Sequence, residues 1–193
     1  MNRARFPLAV LAAAALAGCG IQSIPQANNA VAAGWAEVEN QYQRRADLVP
    51  NLVETVRGYA THEKETLEGV MAARAQATQV KLTVDQLTPE NMKKFEQAQT
   101  GLTAALGKLL AVSEAYPNLK ANENFRDLQV QLEGTENRIS VARRRYIQVV
   151  QDFNNVITVP PTSFTNSLFY HHAPKAQFAA TTPGAAEAPK VKF

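Results

Sequence analysis

From Ala27 to Pro160, apolar residues recur at alternating steps of three and four along a polar, alanine-rich chain with few glycines. Trp35, Val38, Tyr42, Val49, Leu52, Val56 and Tyr59 form one seam, which Leu67, Val70 and Ala77 continue after a slip near Thr61-His62. Met92, Phe95, Leu102, Leu106, Leu109 and Tyr116 form a second. Phe125, Leu128, Leu132, Ile139, Ala142, Tyr146, Val149, Phe153 and Val156 form a third. This is the helical period, with a coiled-coil-like stripe. No stretch alternates with period two for long enough to predict a sheet. The seams predict an all-α protein, an antiparallel up-and-down bundle of long helices resembling a four-helix bundle.

The breaks sharpen the boundaries. Thr88 has the chemistry of an N-cap, with Pro89 at the first helical position. Pro117 stops the second seam, because proline disfavours helix in the residue before it. Pro50 lies inside the first seam and predicts a kink or a division there, since its ring clashes with the carbonyl four residues earlier. The final segment, 161–193, is rich in proline and alanine and predicts an irregular, partly disordered tail. Within it, Phe164, Leu168, Phe169 and Phe178 are the residues expected to lie across the bundle as extended chain.

The start of the chain has a different logic. Arg3 and Arg5 precede an apolar stretch of 11 residues, Phe6 to Leu16. A membrane-spanning helix needs about 20, so the stretch reads as a secretory signal. It closes in Leu16-Ala17-Gly18-Cys19, which resembles the cleavage site of a bacterial lipoprotein, where the thiol is alkylated with a diacylglyceryl group and the chain is cut before the cysteine. Cys19 is the only cysteine of the chain, so its acylation leaves no thiol for a disulfide or for catalysis. The predicted organisation is a signal peptide at 1–18, a tether at 19–26, a helical domain at 27–160 and the tail at 161–193. Gly20, by the same resemblance and in a host with two membranes, favours the periplasmic face of the outer membrane over the inner membrane.

Removal of the signal lowers the formal net charge of +3 by two. No single-sign field remains that would favour nucleic acid, and no basic patch interleaves with aromatics. Candidate chemistry is sparse. His62-Glu63-Lys64-Glu65-Thr66 lacks a second histidine on the same helical face, and no Glu-x-x-His pair suits a di-iron bundle. No nucleophile elbow, phosphate loop or dinucleotide turn is present. Glu133 and Glu136, one helical turn apart, fit an acid–base pair or, on so glutamate-rich a helix, a solvated face or salt-bridge partners. His171-His172 lies in the tail. Trp35, Tyr42 and Tyr59 sit at core spacing. No cofactor or metal is expected, and the chain reads as a non-enzyme.

Two arginines stand out by position. Threes and fours counted from Trp35 place Arg45 on the first seam, and counted from Leu67 they place Arg74 on its continuation. A buried unpaired charge is very costly. Arg45 or Arg74 is therefore expected to pair with Glu114, Glu133 or Glu136 across the bundle and so set helix register. The alternative is a slight rotation that brings Ala46 onto the seam and lets Arg45 reach water.

Several runs are long and specific: Arg44-Arg45-Ala46-Asp47-Leu48-Val49-Pro50-Asn51-Leu52-Val53, Gly58-Tyr59-Ala60, Ala73-Arg74-Ala75, Glu114-Ala115-Tyr116-Pro117-Asn118-Leu119 and Glu133-Gly134-Thr135-Glu136-Asn137-Arg138-Ile139, with Arg143-Arg144 and Asn154-Asn155. Together they resemble the LemA family over nearly all of the predicted mature chain. The resemblance implies an all-helical bundle tethered to a membrane at its N-terminus, with no established biochemical activity. One relative belongs to the magnetosome machinery and is linked to membrane remodelling. Family members commonly keep an N-terminal transmembrane helix, and here a lipid on Cys19 takes its place. The expected function is that of a membrane-anchored helical scaffold of the cell envelope that binds a protein partner or a second copy of itself. Its expected contact faces are those rich in Gln and Ala, such as Gln97-Ala98-Gln99 and the stretch from Ala72 to Gln79. Two other readings remain: an enzyme or small-molecule binder with a polar pocket between helices, and an accessory subunit of an envelope protease or quality-control complex.

Overall fold

A computed structural model describes the backbone of residues 5–179 and the side chains of residues 21–179. Six α-helices occur among these: α1 Arg5–Arg57, α2 Lys64–Gln79, α3 Pro89–Ser113, α4 Pro117–Lys120, α5 Glu123–Thr158 and α6 Thr162–Thr165. No strand is present among the described residues, and the fold is all-α. The side chain of Cys19 and residues 180–193 lie outside the described set.

Each long helix runs antiparallel to the next. Along α1 and α5, Trp35 stands beside Tyr146, Arg45 beside Glu136 and Tyr59 beside Asn122, so one numbering rises as the other falls. The Leu82 carbonyl, just past α2, accepts from Trp35 Nε1, whereas the Ala46 carbonyl accepts from Arg74, nearer the middle of α2. Between α2 and α3, Gln99 donates to the Ala77 carbonyl at one level and Tyr116 donates to Glu63 at another. The slip near Thr61-His62 is a chain reversal, in which Ala60 N–H and Tyr59 N–H both bond to the Val56 carbonyl and α2 restarts at Lys64.

The predicted start of α3 has its physical basis in place, and a start that was not predicted stands at α5. Thr88 Oγ1 accepts from Asn91 N–H with Pro89 at the first turn, and Asn122 Oδ1 accepts from Phe125 N–H at the head of α5. Gly34 lets α1 and α5 approach closely, since a Cβ there would stand 2.9 Å from Val149 Cγ2.

Three expectations are corrected. The segment 19–26, expected as a tether before the first helix, is itself helical, and Ile24 within it is fully buried. Ile24 packs in the core upstream of Ala27, where the helix was not expected to reach. Of the kink and the division expected at Pro50, the division does not occur, since the first helix continues to Arg57. Val49, Leu52, Val53 and Val56 are all buried around it, and their packing outweighs the hydrogen bond that proline removes. Tyr59 is exposed, because it lies past the end of α1, where its hydroxyl accepts from Asn122.

The chain after α5 is ordered as far as it is described. After α6, a π-turn at Asn166–Tyr170 and a left-handed His171 (φ 56°) turn it back along the bundle. Asn154 clamps the returning chain by accepting from Lys175 N–H and donating to the Lys175 carbonyl. Ala176 N–H bonds to the Leu87 carbonyl. Phe178 then enters a ring cluster with Trp35, Phe95 and Tyr146. Of the four apolar tail residues, Phe178 alone packs on the bundle, whereas Phe164, Leu168 and Phe169 face outward.

Candidate functional site

The core has two halves. One gathers around Trp35, Tyr42, Phe95, Ile139 and Tyr146. The other gathers around Val49, Leu52, Leu102, Leu132 and Phe125. A polar layer lies between them.

Arg45, on α1, is its centre and is 1% exposed. Its Nη1 donates to Glu136 on α5 at 2.6 Å and to Thr103 on α3 at 2.9 Å. Its Nη2 donates to the Gln99 side-chain oxygen at 2.8 Å and to the Gln99 carbonyl. The guanidinium also lies over the Tyr42 ring, 5.1 Å from its centroid. Gln99 in turn donates to the Ala77 carbonyl of α2. One side chain therefore joins three helices, and through Gln99 the fourth. Arg45 Nε has no hydrogen-bond partner.

Arg45 and Ala46 are both buried, so the helix does not have to choose between them. Ala46 turns toward α2, where its carbonyl accepts from Arg74 Nε at 2.7 Å. Arg74 is half-buried and finds that backbone oxygen rather than a carboxylate. Glu114 bonds Lys120 on the surface, and Glu133 is exposed. Of the predicted carboxylates, Glu136 alone meets an arginine of the seams. Glu136 thus serves as a salt-bridge partner of Arg45.

Gln99 and Thr135 were not among the expected core residues, yet both are buried. Their signal lay in the seams. The first skips from Tyr42 to Val49, the second from Phe95 to Leu102 and the third from Leu132 to Ile139. Each gap is seven residues, and the polar layer fills all three. Gln99 is consequently an interior residue, not part of an outward partner face.

A second ion pair continues the layer along α5. Arg143 Nη2 lies 3.3 Å from Glu96 on α3, and its guanidinium covers Phe178 at 4.3 Å. Burial raises the Glu96 pKa above its usual value, against the opposing pull of Arg143 and of the Ala179 backbone. Burial likewise raises Tyr42, opposed by Arg143 and Arg45. Beside these groups lies an open groove of about 320 Å³, lined by Tyr42, Arg45, Glu96, Glu136, Ser140 and Arg143 among others. Arg74 and Glu114 do not line it. No group of three His, Cys, Asp or Glu side chains able to hold a metal ion occurs among the described residues. His172 stacks on Tyr170 and meets the edge of Phe153. No helix among the described residues is long and apolar enough to cross a membrane.

The family model described as the LemA family matches residues 34–193. The chain is also similar to the magnetosome proteins MamQ 2 and MamQ 1 of Paramagnetospirillum magneticum (strain ATCC 700264 / AMB-1), each 26% identical over 172 residues. It is similar as well to the magnetosome protein MamQ of Magnetospirillum gryphiswaldense (strain DSM 6361 / JCM 21280 / NBRC 15271 / MSR-1), 23% identical over 169 residues. Each match covers 75% of this chain and 62% of the relative, so the chain spans less than two thirds of the relatives' length.

Proposed function

The chain belongs to the LemA family, and from that premise we propose that it is a lipid-anchored helical scaffold of the bacterial cell envelope. It is held at Cys19 and presents its outer helical faces to a protein partner or to a second copy of itself. The observation that carries this reading is the polar layer. Its most chemistry-bearing side chain, Arg45, is enclosed and engaged by Gln99, Thr103 and Glu136. A buried polar contact of this kind suits the fixing of helix register, a role best attested for polar residues on apolar seams. The hydrogen-bond partners of Arg45 all belong to other helices of the bundle, so the surface is left to carry the function. The relatives named for the magnetosome favour an assembly role over catalysis. The absence of Asp at position 20 favours the outer membrane.

Fractionation of cells carrying Cys19→Ser tests the anchor: the variant moves to the soluble fraction while wild type stays with membranes. Crosslinking in cells followed by identification of the captured proteins, with light scattering of the acyl-free chain, tests the scaffold. A strict monomer that captures nothing overturns it. Capture of an envelope protease identifies the accessory-subunit form of the same reading.

The groove beside Arg45 favours a second reading, a small-ligand site. Its walls carry Arg45, Glu96, Glu136 and Arg143. A screen of anionic metabolites by thermal shift, with Arg143→Ala as control, supports this reading if one of them raises the melting temperature of wild type alone.

A further inference from the structure

The described tail leaves three large apolar side chains in water: Phe164 is 72% exposed, Leu168 69% and Phe169 63%. Solvated apolar clusters of this kind mark contact surfaces. They lie within α6 and the π-turn that follows it, a segment held by Asn166, whose side chain both donates to the His172 carbonyl and accepts from His172 N–H. The outward placement is therefore built in and is not the accident of a loose end.

One hydrogen bond ties this turn to α1. Tyr170 Oη donates to the Ile21 carbonyl at 2.7 Å. Ile21 is two residues from Cys19, about 3 Å along a helix axis. Ile21 is itself exposed, as is Val159 just before α6. The charge pattern fits a lipid surface as well. Between Asp152 and Glu187 the sequence contains no Asp or Glu, while it carries His171, His172 and Lys175. No carboxylate in that stretch would be repelled by phosphate headgroups.

We propose that the turn Thr162–Tyr170 is a second membrane contact, with Phe164, Leu168 and Phe169 entering the lipid surface that receives the acyl chains of Cys19. This rests on the reading of Cys19 as the lipidated residue. A chain acylated there brings Tyr170 against the headgroups whatever else it binds, so lipid is the one partner always within reach. Phe and Leu on an otherwise polar element are the side chains that bury at the boundary of headgroup and acyl chain. Lipid chains and turn together would hold α1 at a defined angle to the membrane, where acyl chains alone would let it swivel.

The test uses the mature chain from residue 19 with Cys19→Ser, without acyl groups, floated with vesicles of phosphatidylethanolamine and phosphatidylglycerol. The chain is expected to float with the vesicles. The additional substitutions Phe164→Ser, Leu168→Ser and Phe169→Ser are expected to weaken flotation roughly tenfold or more at an unchanged melting temperature. The proposal is overturned if the acyl-free chain ignores vesicles, or if the triple variant floats equally well. It is overturned too if light scattering shows that the triple variant loses only self-association. Metabolic labelling of wild-type Cys19 with palmitate tests the anchor separately: labelling without vesicle binding by the acyl-free chain removes this proposal and keeps the anchor.

Discussion

Arg45 Nη1 and Glu136 Oε1 lie 2.6 Å apart, yet the arginine side chain is 2% exposed and the glutamate 47%. The pair is one-sided. Glu136 keeps access to water, and Arg45 depends on its partners. Breaking a fully buried pair from one side costs about 3–5 kcal/mol, whereas an exposed pair contributes about 0–1. Glu136→Ala is therefore expected to lower unfolding free energy by about 1–2 kcal/mol in urea titrations. Arg45→Met leaves the Gln99 oxygen without its donor, at about 1–3 kcal/mol. Arg45→Met combined with Gln99→Leu regains most of that loss, because an apolar layer then replaces the unsatisfied amide.

The glycines separate packing from propensity. Gly101 and Gly107 lie on exposed positions of α3, with nothing within 4 Å of an added Cβ. Gly101→Ala and Gly107→Ala are each expected to raise stability by about 0.5–1 kcal/mol. Gly34→Ala meets Val149 at 2.9 Å, with the Tyr146 Cα at 3.6 Å behind it. A β-branched side chain on a helix has little freedom to yield. Gly34→Ala is expected to lower the melting temperature despite its better helix propensity.

Phe178 closes the aromatic cluster, stacked 6.2 Å from Trp35. Trp35 is the sole tryptophan, so its emission reports on that contact. Phe178→Ala is expected to shift the emission to longer wavelength and to cost about 2–3 kcal/mol, below the full range for a central Phe, because the ring sits at the edge of the core. Unchanged emission would mean that the tail leaves the bundle in solution.

Glu39 supplies a pH test. Burial raises its pKa above the ordinary 4.5, against opposing hydrogen bonds from Trp35 and the Leu82 backbone. A raised folded value favours the protonated form, so the contribution to stability is fully present below 4.5 and is lost as pH rises through the folded value. In urea titrations, the difference in unfolding free energy between wild type and Glu39→Gln is expected to decline, in wild type's disfavour, as pH rises from 4.5 toward neutrality.

The helices and several of their ends were legible in the chain because they depend on local chemistry. A three-four apolar period selects one face, and Thr88, Pro89 and Pro117 mark boundaries through their own backbones. The inward position of Arg45 followed from counting as well. Its partners did not, since the same count offered Glu114, Glu133 and Glu136 alike, and Arg74 as readily as Arg45.

Only tertiary structure decided those choices. Which carboxylate meets Arg45 depends on where the reversals at 58–63, 80–88 and 114–122 set α3 and α5 against α1. Arg74 reaches a carbonyl because Ala46 faces it across a narrow gap. Ile24 packs in the core where a tether was expected, and burial around Pro50 holds α1 together past a residue that would end it in isolation. In the tail, Phe178 packs and Phe164 does not, because Asn154 and Leu87 grip the backbone beside the first and nothing in the bundle lies over the second. A sequence period states which way a side chain points along its own helix. What it meets there depends on chain distant in sequence.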